Sequence, residues 1–179
     1  MSIIQILGRV ISKLIEIQFF YYTAGHLTNH KKSEGRFINK EELIDFFRTY
    51  NIYPEHMIQE YNRNFESTDK RPFAILHENK ITSLGWVGKA SNHETPSSIR
   101  QEFKKHICIS DCVTALPFRG NGLYPELINQ IISKYDKNTV VLISTHFWNT
   151  QSRRGIEKSD MKIIITRIKF LNLHFWLNK

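Results

Sequence analysis

The chain has 179 residues, with 25 Lys and Arg against 17 Asp and Glu, which gives a formal net charge of +8. A hydrophobic content of 41% beside 23% charged residues is typical of a globular protein and excludes an intrinsically disordered chain. The length suits a single domain over residues 1–179. The basic charge favours an anionic partner such as a phosphate, a nucleic acid or a lipid.

The N-terminal stretch is apolar but interrupted by charge. Residues 3–14 repeat apolar side chains at helical spacing, and Arg9, Lys13 and Glu16 break the run. The sequence therefore predicts neither a secretory signal nor a transmembrane helix, while a weak peripheral contact with a membrane stays an alternative. Residues 14–24 predict an aromatic-rich strand.

Two helices and a hairpin are predicted next. Asn39 is an N-cap for a helix, and a second helix follows Pro54. Residues 71–90 place two apolar runs around a polar turn at 77–80, which predicts a β-hairpin. Residues 91–105 are polar and predict a loop.

The second half alternates strands and helices. Strands are predicted over residues 106–116 and 138–146, on either side of a helix that begins near Leu123. A short helix capped by Asn149 and one or two closing strands over 161–176 follow. This order predicts a mixed α/β (α+β) domain that contains one βαβ unit.

The two cysteines, Cys108 and Cys112, lie in the first of these strands. Four strand residues separate them by roughly 13 Å, which is too far for a disulfide. We therefore expect free thiols in the core and a reducing, cytoplasmic location.

A glycine-rich, positively charged turn precedes the helix of the βαβ unit. In Arg119-Gly120-Asn121-Gly122 the glycines allow positive φ, so that successive N–H groups can converge on one point. The helix N-terminus, with Pro125 in its first turn, adds unpaired N–H groups. The segment lacks the Gly-Lys-Ser/Thr of a P-loop and the third glycine of the dinucleotide fingerprint. It predicts a pyrophosphate cradle, and an ordinary glycine turn is the equal alternative.

The turn resembles the acyl-CoA-binding motif of the GNAT acetyltransferase superfamily, Gln/Arg-x-x-Gly-x-Gly/Ala. The sixth position differs from the motif, because Tyr124 stands where Gly or Ala is usual. Residues 149–161 are similar to the family's Asn-x-x-Ala/Ser…Glu-Lys-x-Gly-Phe segment, with Asp160 and Met161 where Gly and Phe are usual. The resemblance covers residues 70–165. It implies a central mixed sheet with two splayed parallel strands flanked by helices. The Arg-Gly-x-Gly-Leu-Tyr-Pro variant resembles bacterial members associated with surface polysaccharide.

The resemblance further implies an N-acetyltransferase that takes acetyl-CoA as co-substrate and a small amine as acceptor, such as an amino sugar or a sugar nucleotide. Arg153, Arg154 or Lys158 would meet the adenosine phosphate, unless they belong to a solvated helix face. The residues implied to bind the cofactor are Val113, Ala115, Arg119, Gly120, Asn121, Gly122, Leu123, Tyr124, Asn149 and Ser152.

Catalysis needs a base for the amine and an acid for the leaving thiolate. Asp111 is the one carboxylate in its predicted strand, where we expect it to be buried, and it is the candidate base or, equally, a structural residue. His146 and His106 are the alternative candidates for the base, which we call the reserve bases. The family's acidic tyrosine corresponds to Ile156, so Tyr124 is a substitute acid or a cofactor contact.

Trp86 is predicted to line the acceptor pocket. The sequence supports no metal site, and because its basic residues are dispersed it predicts no specific nucleic-acid binding. Nucleophilic catalysis by Cys112 paired with a histidine is an alternative, but the sequence places no third group to orient the histidine. The alternative to an enzyme is a GNAT-fold module that binds CoA, or contacts a membrane, without catalysis.

Overall fold

A computed structural model describes residues 15–24, 34–67, 69–90, 105–170 and 173–178. The helix predicted over residues 3–14 lies outside the described residues, as does the predicted loop from residue 91 to residue 104. The predicted membrane contact of the N-terminal segment therefore stays a prediction.

The described strands form one mixed sheet. They are β1 (Ile15–Ala24), β2 (Glu34–Phe37), β3 (Lys70–His77), β4 (Lys80–Lys89), β5 (Lys105–Thr114), β6 (Thr139–His146), β7 (Lys162–Phe170) and β8 (Leu173–Asn178). Their spatial order is β2-β3-β4-β5-β6-β1-β7-β8. Only β5 and β6 run parallel among the pairs of this sheet. The predicted α+β architecture is confirmed.

Helices cover both faces of the sheet. They are α1 (Lys40–Thr49), α2 (Glu55–Asn64), α3 (Leu123–Ile132) and α4 (Thr150–Glu157). Apolar residues of α3 pack on Phe73, Ile75 and Val87. Those of α1 and α2 pack on Ala74 and Trp86 from the opposite face, because successive strand side chains point to opposite sides.

Local sequence explains where these elements begin. Asn39 Oδ1 accepts a hydrogen bond from the Glu42 amide, and the Glu42 carboxylate accepts one from the Asn39 amide, so α1 begins with a capping box. The hairpin between β3 and β4 turns at Glu78 and Asn79, whose φ angles of 50° and 61° suit the twist of a two-residue turn. The predicted hairpin and the predicted helices after Asn39 and Pro54 are confirmed. β2 was not predicted.

Two irregularities of β5 shape the site. Its parallel pairing with β6 ends at the pair of Ile109 and Ile143, although both strands continue, so the strands splay. Two residues further, Asp111 and Cys112 lie together opposite Gly85, which makes a β-bulge. Asp111 has a left-handed backbone with φ of 46°.

Candidate active site

A cleft of about 760 Å³ opens where β5 and β6 separate. Its walls are the ends of the two strands, the turn after β5, the first turn of α3 and one side of α4. In the described structure this is the place where the βαβ unit leaves the edges of two neighbouring parallel strands unpaired. Ligands of open α/β sheets bind at such carboxyl-end crevices.

The turn between β5 and α3 presents a row of backbone amides. Gly120 and Gly122 adopt positive φ angles of 85° and 76°, and a Cβ on either would meet no atom within 4 Å, so their role is conformational. Within the described part of the chain, the backbone N–H groups of residues 120–124 have no hydrogen-bond acceptor. Arg119 Nε donates to the Thr114 carbonyl at 3.0 Å, which ties the turn to the end of β5. The amides and the charge are available to an anion.

The cleft is electropositive. Arg119, Arg154 and Lys158 line it, and Asp111 is the one carboxylate among its described lining residues. Arg153 points elsewhere, with its guanidinium 4.6 Å from the Phe19 ring centroid. Two of the three predicted adenosine-phosphate candidates thus lie on the cleft, and Arg153 instead holds α4 against the sheet.

Tyr124 and α4 form one side of the cleft. The Tyr124 hydroxyl lies 3.1 Å from Ser152 Oγ, and Asn149 Oδ1 accepts from the Ser152 amide at 3.0 Å. Gly155 lets the ring approach, because a Cβ there would lie 2.2 Å from a Tyr124 ring carbon. Burial raises the pKa of Tyr124, so its hydroxyl stays protonated at neutral pH.

Some predicted site residues are engaged elsewhere. Ala115 is buried, its N–H donates to the Thr82 carbonyl and its C=O accepts from Phe118, so the structure does not bring it into the cleft. Asn121 Nδ2 donates to the Phe118 carbonyl at 3.2 Å, so the side-chain NH2 group is engaged within the turn. Val113 lines the cleft. Ala115 differs from the prediction because it precedes a 3₁₀ turn over Leu116–Phe118 instead of extending β5 to residue 116.

Asp111 is exposed, so the expected burial of this carboxylate is wrong. The bulge turns the residue out of the regular strand alternation. Asp111 lines the cleft and also lines a second cavity of about 370 Å³ between the sheet and α2. It is the described residue common to both linings.

Three aromatic residues line the second cavity. The Trp86 and Tyr61 rings stack at 5.9 Å with an 18° interplanar angle, and Phe65 lies 6.0 Å from Trp86. The predicted acceptor-lining residue Trp86 is therefore on its wall together with the predicted Asp111, and five further lining residues were not predicted from the sequence. These are Met57, Glu60, Tyr61, Phe65 and Lys70. Met57, Tyr61 and Phe65 follow one another at four-residue intervals, and this helical spacing was the signal that could have found these three.

The reserve bases lie apart from each other. His146 lines the cleft, stacks on Trp148 at 4.4 Å and has Nδ1 3.8 Å from a Glu16 carboxylate oxygen. His106 pairs with Val140 near the start of the parallel strands, about 16 Å of strand away from Asp111. Ile156 is fully buried in the core.

Other site chemistry receives little support. Burial and the neighbouring Asp111 raise the pKa of the Cys112 thiol, which opposes its ionisation to a nucleophile. Within the described ranges, no three His, Cys, Asp or Glu side chains gather as a metal site would require. Nor does any described helix have the length and apolar character needed to cross a membrane.

Comparison with known proteins yields structural neighbours. No protein-family model matches the sequence, and a search of curated proteins gives no significant match. A protein of unknown function from Staphylococcus epidermidis aligns over all of this chain and 69% of its own, with a TM-score of 0.64 and 10% identity. A protein assigned to the GNAT acetyltransferases from Novosphingobium aromaticivorans aligns over 86% of this chain and 62% of its own, with a TM-score of 0.58 and 9% identity.

A GNAT-family acetyltransferase from Colwellia psychrerythraea aligns over 86% of this chain and 54% of its own, with a TM-score of 0.57 and 16% identity. The chain has a GNAT-like fold. It spans less than two thirds of the length of either acetyltransferase. At these identities the likeness establishes the fold, and the chemistry has to be argued from the site.

Proposed function

We propose that the protein is an acyl-CoA-dependent N-acetyltransferase that uses acetyl-CoA and a small-molecule amine. The observation that carries the proposal is the splayed-strand cleft, whose turn offers unpaired amides beside Arg119, Arg154 and Lys158. A pyrophosphate and a ribose phosphate together carry the charge that such a site would neutralise.

The residues at the cleft fit CoA. The amides of residues 120–124 and Arg119 would hold the pyrophosphate, and Arg154 or Lys158 the ribose phosphate. The Val113 segment of β5, whose parallel pairing has already ended, would lie along the pantetheine arm. Bound acetyl-CoA supplies the acyl group as a thioester.

Asp111 and Tyr124 would move the protons. A bond forms between the amine nitrogen and the acyl carbon, and the carbon–sulfur bond breaks. Asp111, at the junction of the two cavities, would accept the proton that the amine loses. The protonated Tyr124 hydroxyl would donate to the leaving sulfur, with Ser152 orienting it. His146 is the reserve base on the cleft.

Calorimetric titration with CoA tests the cofactor. Gly120→Asp places a carboxylate at the cradle and should weaken CoA binding by about tenfold or more. Gly120→Asn is the matched control, because it adds a side chain of the same size at the same positive-φ position without the carboxylate. Absence of binding at millimolar CoA, or equal loss in both variants, would refute the proposal.

A second candidate is a CoA-binding module without catalysis, which the buried Ile156 at the family's tyrosine position favours. Thiol release from acetyl-CoA across an amine panel separates the two. The panel includes glucosamine, since the motif variant suggested an amino-sugar acceptor. Tight CoA binding without thiol release for any amine would favour the module. The free thiols of Cys108 and Cys112 suit the reducing cytoplasm that we propose as its location.

A further inference from the structure

The cavity of about 370 Å³ beside Asp111 has a distinct composition. Four of its lining residues are apolar or aromatic: Met57, Tyr61, Phe65 and Trp86. The Tyr61 and Trp86 rings stack nearly parallel on each other, and both residues line the space. Its volume is near the lower end of the range for small-molecule pockets, about 300–1,000 Å³.

The charged residues of this cavity are Glu60, Asp111 and Lys70. The two carboxylates outnumber the single ammonium, and Lys70 Nζ also donates to Ser110 Oγ at 3.0 Å. The cavity is thus acidic, whereas the adjoining cleft, with Arg119, Arg154 and Lys158, is basic. Opposite charges in two adjoining cavities indicate two different occupants.

We infer that this cavity receives a primary amine carried on a short aromatic body, an arylalkylamine. The inference rests on the proposed function, because the amine has to reach the acyl group through the junction at Asp111. The ammonium pairs with Asp111 there, and the aromatic body lies against Trp86 and Tyr61, whose ring faces also attract a cation.

A polyhydroxylated amino sugar suits this cavity less well. Hydroxyl groups that face Met57 and Phe65 would lose water without gaining a hydrogen bond from these two side chains. Burial raises the pKa of Tyr61 to about 12, so this residue remains a neutral donor in the working range and adds no negative charge. The apolar wall therefore selects the body of the acceptor, and the carboxylates select its charge.

The test is direct binding of 2-phenylethylamine by calorimetry, to protein alone and to protein saturated with CoA. Two ligands are its controls. 2-Phenylethanol keeps the ring and removes the cation, and glucosamine keeps the amine and removes the ring. Binding of 2-phenylethylamine should exceed that of each control by about tenfold or more.

Variants locate the binding. Met57→Lys adds a cation to the cavity wall and should weaken 2-phenylethylamine binding by about tenfold or more, with CoA affinity unchanged. His56→Lys adds the same cation at an exposed neighbour outside the cavity and should leave both affinities unchanged. Circular dichroism of each variant verifies folding.

The outcomes separate the two proposals. Absence of CoA binding by the unaltered protein counts against the proposed function. Normal CoA binding with no preference for 2-phenylethylamine over glucosamine or 2-phenylethanol overturns the arylalkylamine inference alone. Equal effects of Met57→Lys and His56→Lys also overturn it.

Discussion

The bulge at Asp111 leads to one prediction about stability and one about activity. Asp111 has φ of 46° in the middle of β5, a backbone conformation that residues with a Cβ rarely adopt. Its side chain is exposed, so replacing it removes little packing. Asp111→Gly and Asp111→Ala both remove the carboxylate, but only glycine relieves the left-handed strain.

The expected difference follows from two opposing terms. Left-handed backbone costs an L-residue roughly 1–2 kcal/mol. Glycine loses more chain entropy on folding, which offsets about 0.5–1 kcal/mol of that relief. Asp111→Gly should therefore unfold with a free energy about 0.5–1 kcal/mol larger than that of Asp111→Ala. For a chain of this size that corresponds to about 2 °C in melting temperature.

Urea denaturation measures the stability term, and thiol release from acetyl-CoA measures turnover. Both variants should lose about 100-fold or more in turnover, since each lacks the proposed base. Equal stability of the glycine and alanine variants would refute the strain argument. Wild-type turnover in either variant would refute the base assignment at Asp111 and direct attention to His146.

Three further predictions test the cleft and the cavity. Gly155→Ala puts a methyl group 2.2 Å from the Tyr124 ring and should destabilise the fold by about 1–3 kcal/mol in urea titrations, with recovery when Tyr124→Leu is added. Arg154→Gln should weaken calorimetric binding of CoA but not of dephospho-CoA, because it removes the cation proposed for the ribose phosphate. Burial raises the pKa of Tyr61 from 10.0 to about 12, so the folded protein holds this proton more tightly than the unfolded chain does. The free energy of unfolding should therefore fall between pH 10 and about 12 by a smaller amount in Tyr61→Phe than in the wild type.

Sequence patterns predicted the elements that carry a local signal. The Asn39 cap, the polar hairpin turn at 77–80 and the glycine turn at 119–122 all depend on residues close together in the chain. β2 was not predicted because its alternation of exposed and half-buried residues gives no apolar pattern. It also contains Gly35, and glycine is depleted in strands. Pairing with β3, a non-local contact, holds it in the sheet.

The same limit applies to the site. The positive-φ turn at 119–122 was predictable, since glycine reports directly on backbone conformation. The exposure of Asp111 was not, because an aspartate in a left-handed bulge is imposed by the register between β4 and β5. Ala115 was misplaced for the related reason that a 3₁₀ turn ended the strand early. The cavity wall joins Met57 and Tyr61 of α2 to Trp86 of β4, and that contact depends on tertiary packing.

Departures of β5 from regular pairing open the cleft and place Asp111 at the border of both cavities. Where the ladder with β6 stops at Ile109, the peptide groups of β5 beyond it become available along one edge, and the cleft forms there. Where the ladder with β4 bulges at Asp111, a carboxylate leaves the strand alternation and reaches the boundary with the second cavity. Gly85 permits this, because a Cβ there would lie 2.9 Å from Cys112 Sγ. A regular β5 would continue its pairing with β6 and would keep Asp111 in the strand alternation, so the opening between the two strands and the strained residue arise in the same stretch of β5.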